Sequence, residues 1–245
     1  MTSLRMAGAG LLVGLTMACS GSGDSARGGP ATVKPATPEE NPADTAPGSG
    51  APSGAVAARG ERRTILFLGT SLTAGLGLDP DSAYPQRIQR KIDASGLPYQ
   101  VVNAGVSGET SAGLLRRLDW VLRRPADVIV VETGANDGLR GLPVSATRAT
   151  IGDALTRIRR ERPGATVLLV QMEAPPNLGQ QYTRDFHAMF GDLAREHGVT
   201  LIPFLLEGVA GVPRLNQADG IHPNDTGEAM VADNVWRALR PALSP

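Results

Sequence analysis

Short apolar runs alternate with amphipathic segments from residue 61 to the end of the chain. Most of the runs lack the alternation of polar and apolar residues that marks a strand with one wet face, so they predict strands covered on both faces. The segments between them place apolar residues three and four positions apart, which is typical of amphipathic helices. The predicted strands cover residues 65–68, 100–103, 127–131, 166–170 and 199–202.

The predicted helices separate these strands. One runs from Tyr84 to Ala94, and the last begins at Asp225, with Glu228 at capping-box spacing, and runs to about Leu239. Three more are marked by apolar residues at helical spacing: Leu114, Leu118, Val121 and Leu122; Ile151, Leu155 and Ile158; Phe186, Met189, Phe190 and Leu193. Buried strands that alternate with helices predict an α/β domain in three layers (α/β/α), doubly wound around a five-stranded parallel sheet in the flavodoxin-like manner.

The first 60 residues differ from the rest in composition. Arg5 is the only charged residue before Cys19, and residues 6–18 are apolar or small, which predicts a signal peptide over residues 1–18. Residues 20–60 contain no Ile, Leu, Met, Phe, Trp or Tyr. Such a segment buries too little apolar surface to offset its ordering entropy, so residues 19–60 are interpreted as a flexible tether or a leader without a role. Residues 61–245 then form the folded domain.

The segment before the single cysteine resembles the lipobox of bacterial lipoproteins. It reads Leu15-Thr16-Met17-Ala18-Cys19, with Thr16 where leucine is usual. The resemblance implies that Cys19 is lipidated and that the protein is a membrane-anchored lipoprotein facing the periplasm. Ser20, at the position after the cysteine, favours the outer membrane. The alternative is an ordinary secretory signal that is cut nearby, with a periplasmic or secreted product.

Charge and cysteine content exclude several kinds of partner. The net charge is zero and no long basic stripe is present, so nucleic acid is not an expected partner. A single cysteine makes neither an intramolecular disulfide nor a CxxC zinc site. Asp219 and His222 could form half of a metal site, but no compact cluster of ligands accompanies them. The scattered acids Glu132, Asp137 and Glu173 leave metal a minor option, and the prediction is no metal and no cofactor.

Three residues suggest nucleophilic catalysis. Ser71 follows the first predicted strand in a tight turn, and Asp219 and His222 lie three residues apart in a loop near the C-terminus. A serine hydroxyl is a weak nucleophile that needs a base, and the base needs an orienting group. The other histidines have simpler interpretations, since His187 lies on a solvated helix face and His197 lies at a helix C-terminus, where positive charge is favourable. A serine in such a turn is more commonly only a helix N-cap.

Polar, glycine-rich segments follow three of the predicted strands, at 69–71, 103–105 and 134–137. In a parallel sheet, ligands bind beyond the carboxyl ends of the strands, so these segments are expected to meet at one edge. Their candidate donors for a developing oxyanion are the N–H of Gly105, the side chain of Asn136 and the N–H of Ser71. The simpler interpretations are a turn glycine for Gly105 and a turn or N-cap asparagine for Asn136.

Together these segments resemble the four sequence blocks of the SGNH (GDSL-type) hydrolases, in order, over about residues 63–243. The branch of bacterial arylesterases and thioesterase I/lysophospholipase L1 is the most similar. The residues that carry the resemblance are Gly69-Thr70-Ser71-Leu72, Gly105, Gly134-x-Asn136-Asp137 and Asp219-Gly220-Ile221-His222-Pro223. Thr70 stands where aspartate is usual, but that aspartate is not a member of the triad.

The resemblance implies the SGNH hydrolase fold and a role for each residue. Ser71 would be the nucleophile, His222 the general base and then acid, and Asp219 the group that orients it. The Ser71 N–H, the Gly105 N–H and the Asn136 side chain would form the oxyanion hole. The expected protein is a serine esterase that acts through an acyl-enzyme, with no obligate protein partner implied.

The expected substrate is a small-molecule ester or lipid: an aryl ester, a short-to-medium acyl ester, a thioester or a lysophospholipid. Leucines in the loops beside the site either line an apolar acyl groove or anchor those loops; they and the neighbouring prolines are Leu76, Leu78, Leu139, Leu142, Pro175 and Pro176. Two alternatives stay open. One is a carbohydrate O-deacetylase of the same fold, and the other is a lipoprotein without catalytic activity that binds an envelope ligand.

Overall fold

The computed structural model describes residues 62–244. The predicted signal peptide (1–18), the lipidation site Cys19 and the tether (19–60) lie outside the described residues, so they stay predictions. Across the described residues, no helix is long and apolar enough to cross a membrane.

Strands and helices alternate along the described chain. The strands are β1 (Arg63–Gly69), β2 (Tyr99–Gly105), β3 (Val128–Val131), β4 (Thr166–Val170) and β5 (Thr200–Ile202). The helices are α1 (Ser71–Ala74), α2 (Tyr84–Ala94), α3 (Ser111–Val121), α4 (Ala135–Leu139), α5 (Val144–Glu161), α6 (Gln180–His197) and α7 (Asp225–Leu239).

The five strands form one parallel sheet in the order β2-β1-β3-β4-β5. This is the flavodoxin-like doubly wound order. The chain places β2 on one side of β1 and then adds β3, β4 and β5 on the other side. Helix α2 packs against α7, while α5 packs against both α3 and α6, so helices cover the sheet in two groups. The predicted fold class and strand count are confirmed.

The core is aliphatic with a few aromatic contacts. Every residue of β3 is buried, and β4 is buried after its first residue, as the uniformly apolar runs predict. Tyr84 at the start of α2 meets Phe67 of β1 edge to face, with ring centroids 5.7 Å apart. Phe186 and Phe190 of α6 make a second edge-to-face pair at 5.5 Å. The first of these contacts joins α2 to β1, while the second lies within α6.

The last helix shows where pattern and structure differ. Its bounds match the predicted Asp225 to Leu239, but Asn224 caps it, because the Asn224 Oδ1 accepts from the Gly227 N–H at 3.0 Å. The side chain of Glu228 does not turn back to the cap as a capping box requires. It accepts from the N–H of Tyr84 at 2.7 Å instead, and so joins α7 to α2. A partner 144 residues away cannot be predicted from local spacing.

Candidate active site

The serine turn, residues 70–75, follows β1 directly. Thr70 is the N-cap of α1, and its Oγ1 accepts from the N–H of Leu72 at 3.4 Å. Ser71 is therefore the first helical residue rather than the cap, and its side chain is free for another role. Gly75 ends the helix in the left-handed conformation, with φ 71°. Ser71 lies near the surface with 8% of its area exposed.

Two glycines let the serine turn pack against the ends of the neighbouring strands. Gly69 of β1 and Gly105 of β2 are partners in the sheet register. A Cβ on Gly69 would lie 1.9 Å from the Thr73 Oγ1, and a Cβ on Gly105 would lie 2.4 Å from the backbone nitrogen of Ala74. Neither position tolerates a side chain, so the absence of Cβ atoms is what allows α1 to sit on the sheet edge.

The loop before α7 holds a carboxylate and an imidazole in one turn. Gly220 adopts a φ of 70° between them. The Asp219 Oδ1 accepts from the N–H groups of Ile221 and His222 at 2.9 and 3.0 Å, and the Oδ2 lies 2.6 Å from the His222 Nδ1. These hydrogen bonds, the one from the imidazole first, lower the pKa of Asp219 to about 2.

The imidazole connects this loop to the serine turn. The His222 Nε2 lies 2.9 Å from the Ser71 Oγ. Because the Asp219 carboxylate carries no proton above its low pKa, the His222 Nδ1 donates to it, and the Nε2 is left to accept from the serine hydroxyl. The structure therefore brings the three predicted residues Ser71, His222 and Asp219 into one hydrogen-bonded chain, in the arrangement that activates a serine.

Asn136 lies on the third polar segment. It is the second residue of α4, whose N-cap is Gly134 with φ 96°, so Asn136 is not a capping residue. Its Nδ2 donates one hydrogen bond to the carbonyl of Glu109 at 3.0 Å. An amide nitrogen carries two hydrogens, so the second is available to a ligand. Next to it, the buried carboxylate of Asp137 accepts from the N–H and Oγ of Ser111, at 2.8 and 2.6 Å.

Gly105, a predicted oxyanion donor, is engaged within the fold. Its N–H already donates to the Oδ1 of Asn103 at 2.9 Å, and its α-carbon packs against the serine turn, which is a structural function.

The loop that follows offers another glycine. Gly108 has φ 77° and open space on its Cβ side, and its carbonyl accepts from Arg140 at 3.0 Å. Its neighbour Glu109 supplies the carbonyl that holds Asn136, so Gly108 lies close to a predicted oxyanion donor.

The other candidate acids and histidines lie apart from the triad. His187 is exposed and its Nδ1 lies 2.6 Å from the Glu173 Oε1, while His197 ends α6 just before the left-handed Gly198. In the described part of the chain, no three His, Cys, Asp or Glu side chains group to form a metal site.

Glu132 lies under the serine turn and accepts hydrogen bonds there. Sequence reasoning treated it only as a possible metal ligand, although a charged residue directly after an uninterrupted apolar strand was a visible signal.

Comparison with known proteins agrees with this geometry. A family model described as the GDSL-like lipase/acylhydrolase family matches residues 67–230. The chain belongs to the GDSL-like lipase/acylhydrolase family. It is 40% identical to esterase TesA of Pseudomonas aeruginosa over 183 residues, which cover 74% of this chain and 90% of that protein. It is 36% identical to thioesterase 1/protease 1/lysophospholipase L1 of Escherichia coli K12, over 74% of this chain and 85% of that one.

A solved esterase shares the fold. The crystal structure of the psychrotrophic esterase EstA from Pseudoalteromonas, inhibited by monoethylphosphonate, superposes with a TM-score of 0.70 at 32% identity, covering 74% of this chain and 98% of EstA. The resemblance to the SGNH (GDSL-type) hydrolases is thus confirmed. The protein is a carboxylic ester hydrolase of the serine type.

Replacement of Asp219 by asparagine tests the orienting carboxylate. The amide oxygen can still accept the backbone hydrogen bonds of the loop, but it no longer fixes the Nδ1–H tautomer of His222. We expect kcat/KM for a p-nitrophenyl ester to fall by about 10³-fold, with little change in thermal stability.

The matched control for Asp219→Asn is Asp119→Asn, which alters an exposed ion pair with Arg157 between α3 and α5. It is expected to leave the kinetics unchanged, because exposed pairs contribute little. A D219N enzyme that keeps more than about one-tenth of the wild-type kcat/KM would show that the carboxylate does not orient the base.

Proposed function

We propose that the protein hydrolyses acyl esters in two steps through an acyl-enzyme on Ser71. The observation that supports this is the continuous hydrogen-bonded chain from the Ser71 Oγ through His222 to Asp219. A binding protein has no use for a serine whose hydroxyl is aligned on an imidazole that is itself oriented by a carboxylate.

In the first step, the Ser71 Oγ forms a bond to the ester carbonyl carbon while its proton passes to the His222 Nε2. The tetrahedral intermediate collapses as the bond to the leaving alcohol breaks, and His222 returns the proton to that alcohol. In the second step, His222 removes a proton from water, the hydroxide attacks the acyl carbonyl, and the bond to the Ser71 Oγ breaks. The serine regains its proton from His222, and the free acid leaves.

The oxyanion hole is proposed to combine three N–H groups. The second Nδ2 hydrogen of Asn136 and the N–H of Ser71, at the first position of α1, retain their predicted roles. We assign the third donor to Gly108 rather than Gly105, because the N–H of Gly105 is already bonded to Asn103. Each donor aimed at the developing charge is worth about 3 kcal/mol of barrier.

Ser71→Ala and His222→Ala test the proposed mechanism directly. Each removes one end of the 2.9 Å contact, and each is expected to lower kcat by about 10³-fold or more, with KM little changed. A fluorophosphonate that reacts with activated serines should label the wild type at Ser71 and neither variant at a comparable rate. Turnover close to that of the wild type in either variant would contradict the mechanism and favour a binding role.

The substrate is proposed to carry an apolar acyl or aryl group. Large apolar side chains are exposed on the loops that carry the site residues: Leu76 after the serine turn, Val106 before Gly108, Leu139 and Leu142 after Asn136, and Ile221 before His222. Single exposed hydrophobes need no explanation, but several on the loops of one site favour a hydrophobic ligand. The same feature disfavours an acetylated carbohydrate, which would need polar contacts.

The segment after α4 touches the segment after β4 and the start of α6. The Tyr182 hydroxyl donates to the carbonyl of Leu142 at 2.7 Å, and Leu178 lies 3.6 Å from where a Cβ on Gly141 would be. The end of α4 and the loop after it, which bear Leu139 and Leu142, are therefore supported by α6 and by the segment after β4 that holds Pro175 and Pro176. The names of the relatives, esterase TesA and thioesterase 1/protease 1/lysophospholipase L1, support an acyl ester, thioester or lysophospholipid substrate.

A double substitution of Leu139 and Leu142 by serine tests this acyl surface. Each buried methylene contributes about 0.8 kcal/mol, so we expect kcat/KM for an octanoyl ester to fall about tenfold while the value for an acetyl ester stays near that of the wild type. Met230→Ser, which removes an exposed hydrophobe on α7, serves as the control. An equal loss for both chain lengths would assign these leucines to loop anchoring instead.

We also propose that the protein is an exported lipoprotein held at the outer membrane through lipid on Cys19. The support is the lipobox-like sequence at Leu15–Cys19 and the serine that follows it. Mass spectrometry of the mature protein from a bacterial host that processes lipoproteins should find Cys19 as the N-terminal residue, carrying acyl groups. Cys19→Ser should abolish the acylated form. An unmodified terminus beyond Cys19 would replace the anchor with ordinary secretion.

A further inference from the structure

A carboxylate is buried directly beneath the nucleophile turn. Glu132 follows β3 and has none of its surface exposed. Burial raises the pKa of Glu132, and the hydrogen bonds that it accepts from Thr70 and Thr73 act against that rise. A buried carboxylate is costly unless its acceptor sites are filled. Its partners are therefore a structural requirement, and they belong to the serine turn.

The residues on both sides of Ser71 supply those partners. The Thr70 N–H donates to the Glu132 Oε2 at 2.7 Å, and the Thr70 Oγ1 lies 3.0 Å from both carboxylate oxygens. The Thr73 Oγ1 donates to the same Oε2 at 2.9 Å. Ser71 thus lies between two residues that are bonded to a single carboxylate. A small displacement of the carboxylate would move both flanks of the nucleophile.

The network continues to the helix that follows the catalytic histidine. The Tyr84 hydroxyl lies 2.7 Å from the Thr73 Oγ1. Because the Thr73 hydroxyl donates its hydrogen to Glu132, the Tyr84 hydroxyl is the donor in this contact. The backbone N–H of Tyr84 donates to Glu228 in the first turn of α7, six residues after His222. The serine turn is therefore connected through Tyr84 to the helix that follows the loop bearing the base.

We propose that Glu132 is a positioning residue, which holds Ser71 in line with His222 through the hydroxyls of Thr70 and Thr73. The proposal rests on the proposed function, because positioning Ser71 matters only if Ser71 is the nucleophile. It assigns Glu132 no contact with substrate. A threonine hydroxyl at position 70 can donate to this buried carboxylate.

Catalysis is more sensitive to this network than folding is. The 2.9 Å contact between Ser71 and His222 must survive in the transition state, and a misplacement of about 1 Å can cost about 10²-fold in rate. Removing one donor from a buried carboxylate costs about 1–3 kcal/mol of stability, which is less than the about 5–15 kcal/mol by which a domain is usually stable. Loosening the network is therefore expected to lower kcat more than it lowers the fraction of folded protein.

A pair of substitutions at Thr70 separates the hydroxyl from side-chain volume. Thr70→Val keeps the shape and removes the donor, and Thr70→Ser keeps the donor. We expect T70V to lower kcat and the rate of fluorophosphonate labelling by about tenfold, with KM within about twofold of the wild type, and T70S to recover most of both rates. Tyr84→Phe, one hydrogen bond further away, is expected to cost about threefold in kcat.

Thr147→Val is the matched control, because Thr147 is a buried threonine of α5 whose Oγ1 has no hydrogen-bond partner among the described residues. It should leave both rates unchanged. The proposal is overturned if folded T70V and Y84F keep kcat and labelling rates within about twofold of the wild type, or if T147V loses as much as T70V. Glu132→Gln is a second route should T70V not fold, and the same kinetic criterion applies to it.

The outcomes also separate this proposal from the function on which it rests. If Ser71→Ala keeps its turnover, the serine mechanism itself is wrong. If Ser71→Ala is inactive while T70V, Y84F and E132Q all turn over at the wild-type rate, the mechanism stands and only the positioning role of Glu132 fails.

Discussion

The site depends on one hydrogen bond between side chains 151 residues apart in sequence, from Ser71 to His222. Neither residue lies on a long rigid element, since Ser71 opens a four-residue helix and His222 lies in a loop. Their separation must therefore be fixed by what supports them. A parallel sheet provides the first part of that support, because its crossovers bring the carboxyl ends of all strands to one edge.

The second part is close contact between backbones and a few buried polar groups. Gly69 and Gly105 let the serine turn sit directly on the ends of β1 and β2, where any Cβ would collide with it. Glu132 then binds that turn from below, and Glu228 binds the start of α2. Glu132, Glu228, Thr70 and Thr73 all have hydrogen-bond partners here, so they specify one arrangement that an apolar contact of similar size would leave less defined.

How much of this could be predicted from sequence depends on the range of each interaction. The helix over Tyr84–Ala94 and the strand over Thr166–Val170 match the predicted bounds, because local apolar periodicity determines both. The triad was accessible because elimination among three histidines left one in a loop with an aspartate. Local spacing predicts a capping box for Glu228 and an open N–H donor at Gly105, whereas the fold bonds Glu228 to Tyr84 and the Gly105 N–H to Asn103. The partners of a buried polar group are set by tertiary packing, which periodicity does not encode.

The carboxylates of the site illustrate two opposite uses of the same group. Asp219 stays at the surface, where hydrogen bonds lower its pKa from 3.8 to about 2, so its contribution to stability is present above the ordinary value and is lost as the pH falls toward 2. Burial raises the pKa of Glu228 from 4.5 to about 8, so the folded state binds its proton more tightly and loses stability as the pH rises between those values. Burial raises the pKa of Glu132 in the same direction. The chain thus keeps the carboxylate that must stay charged for catalysis near water, and places those that connect its elements inside.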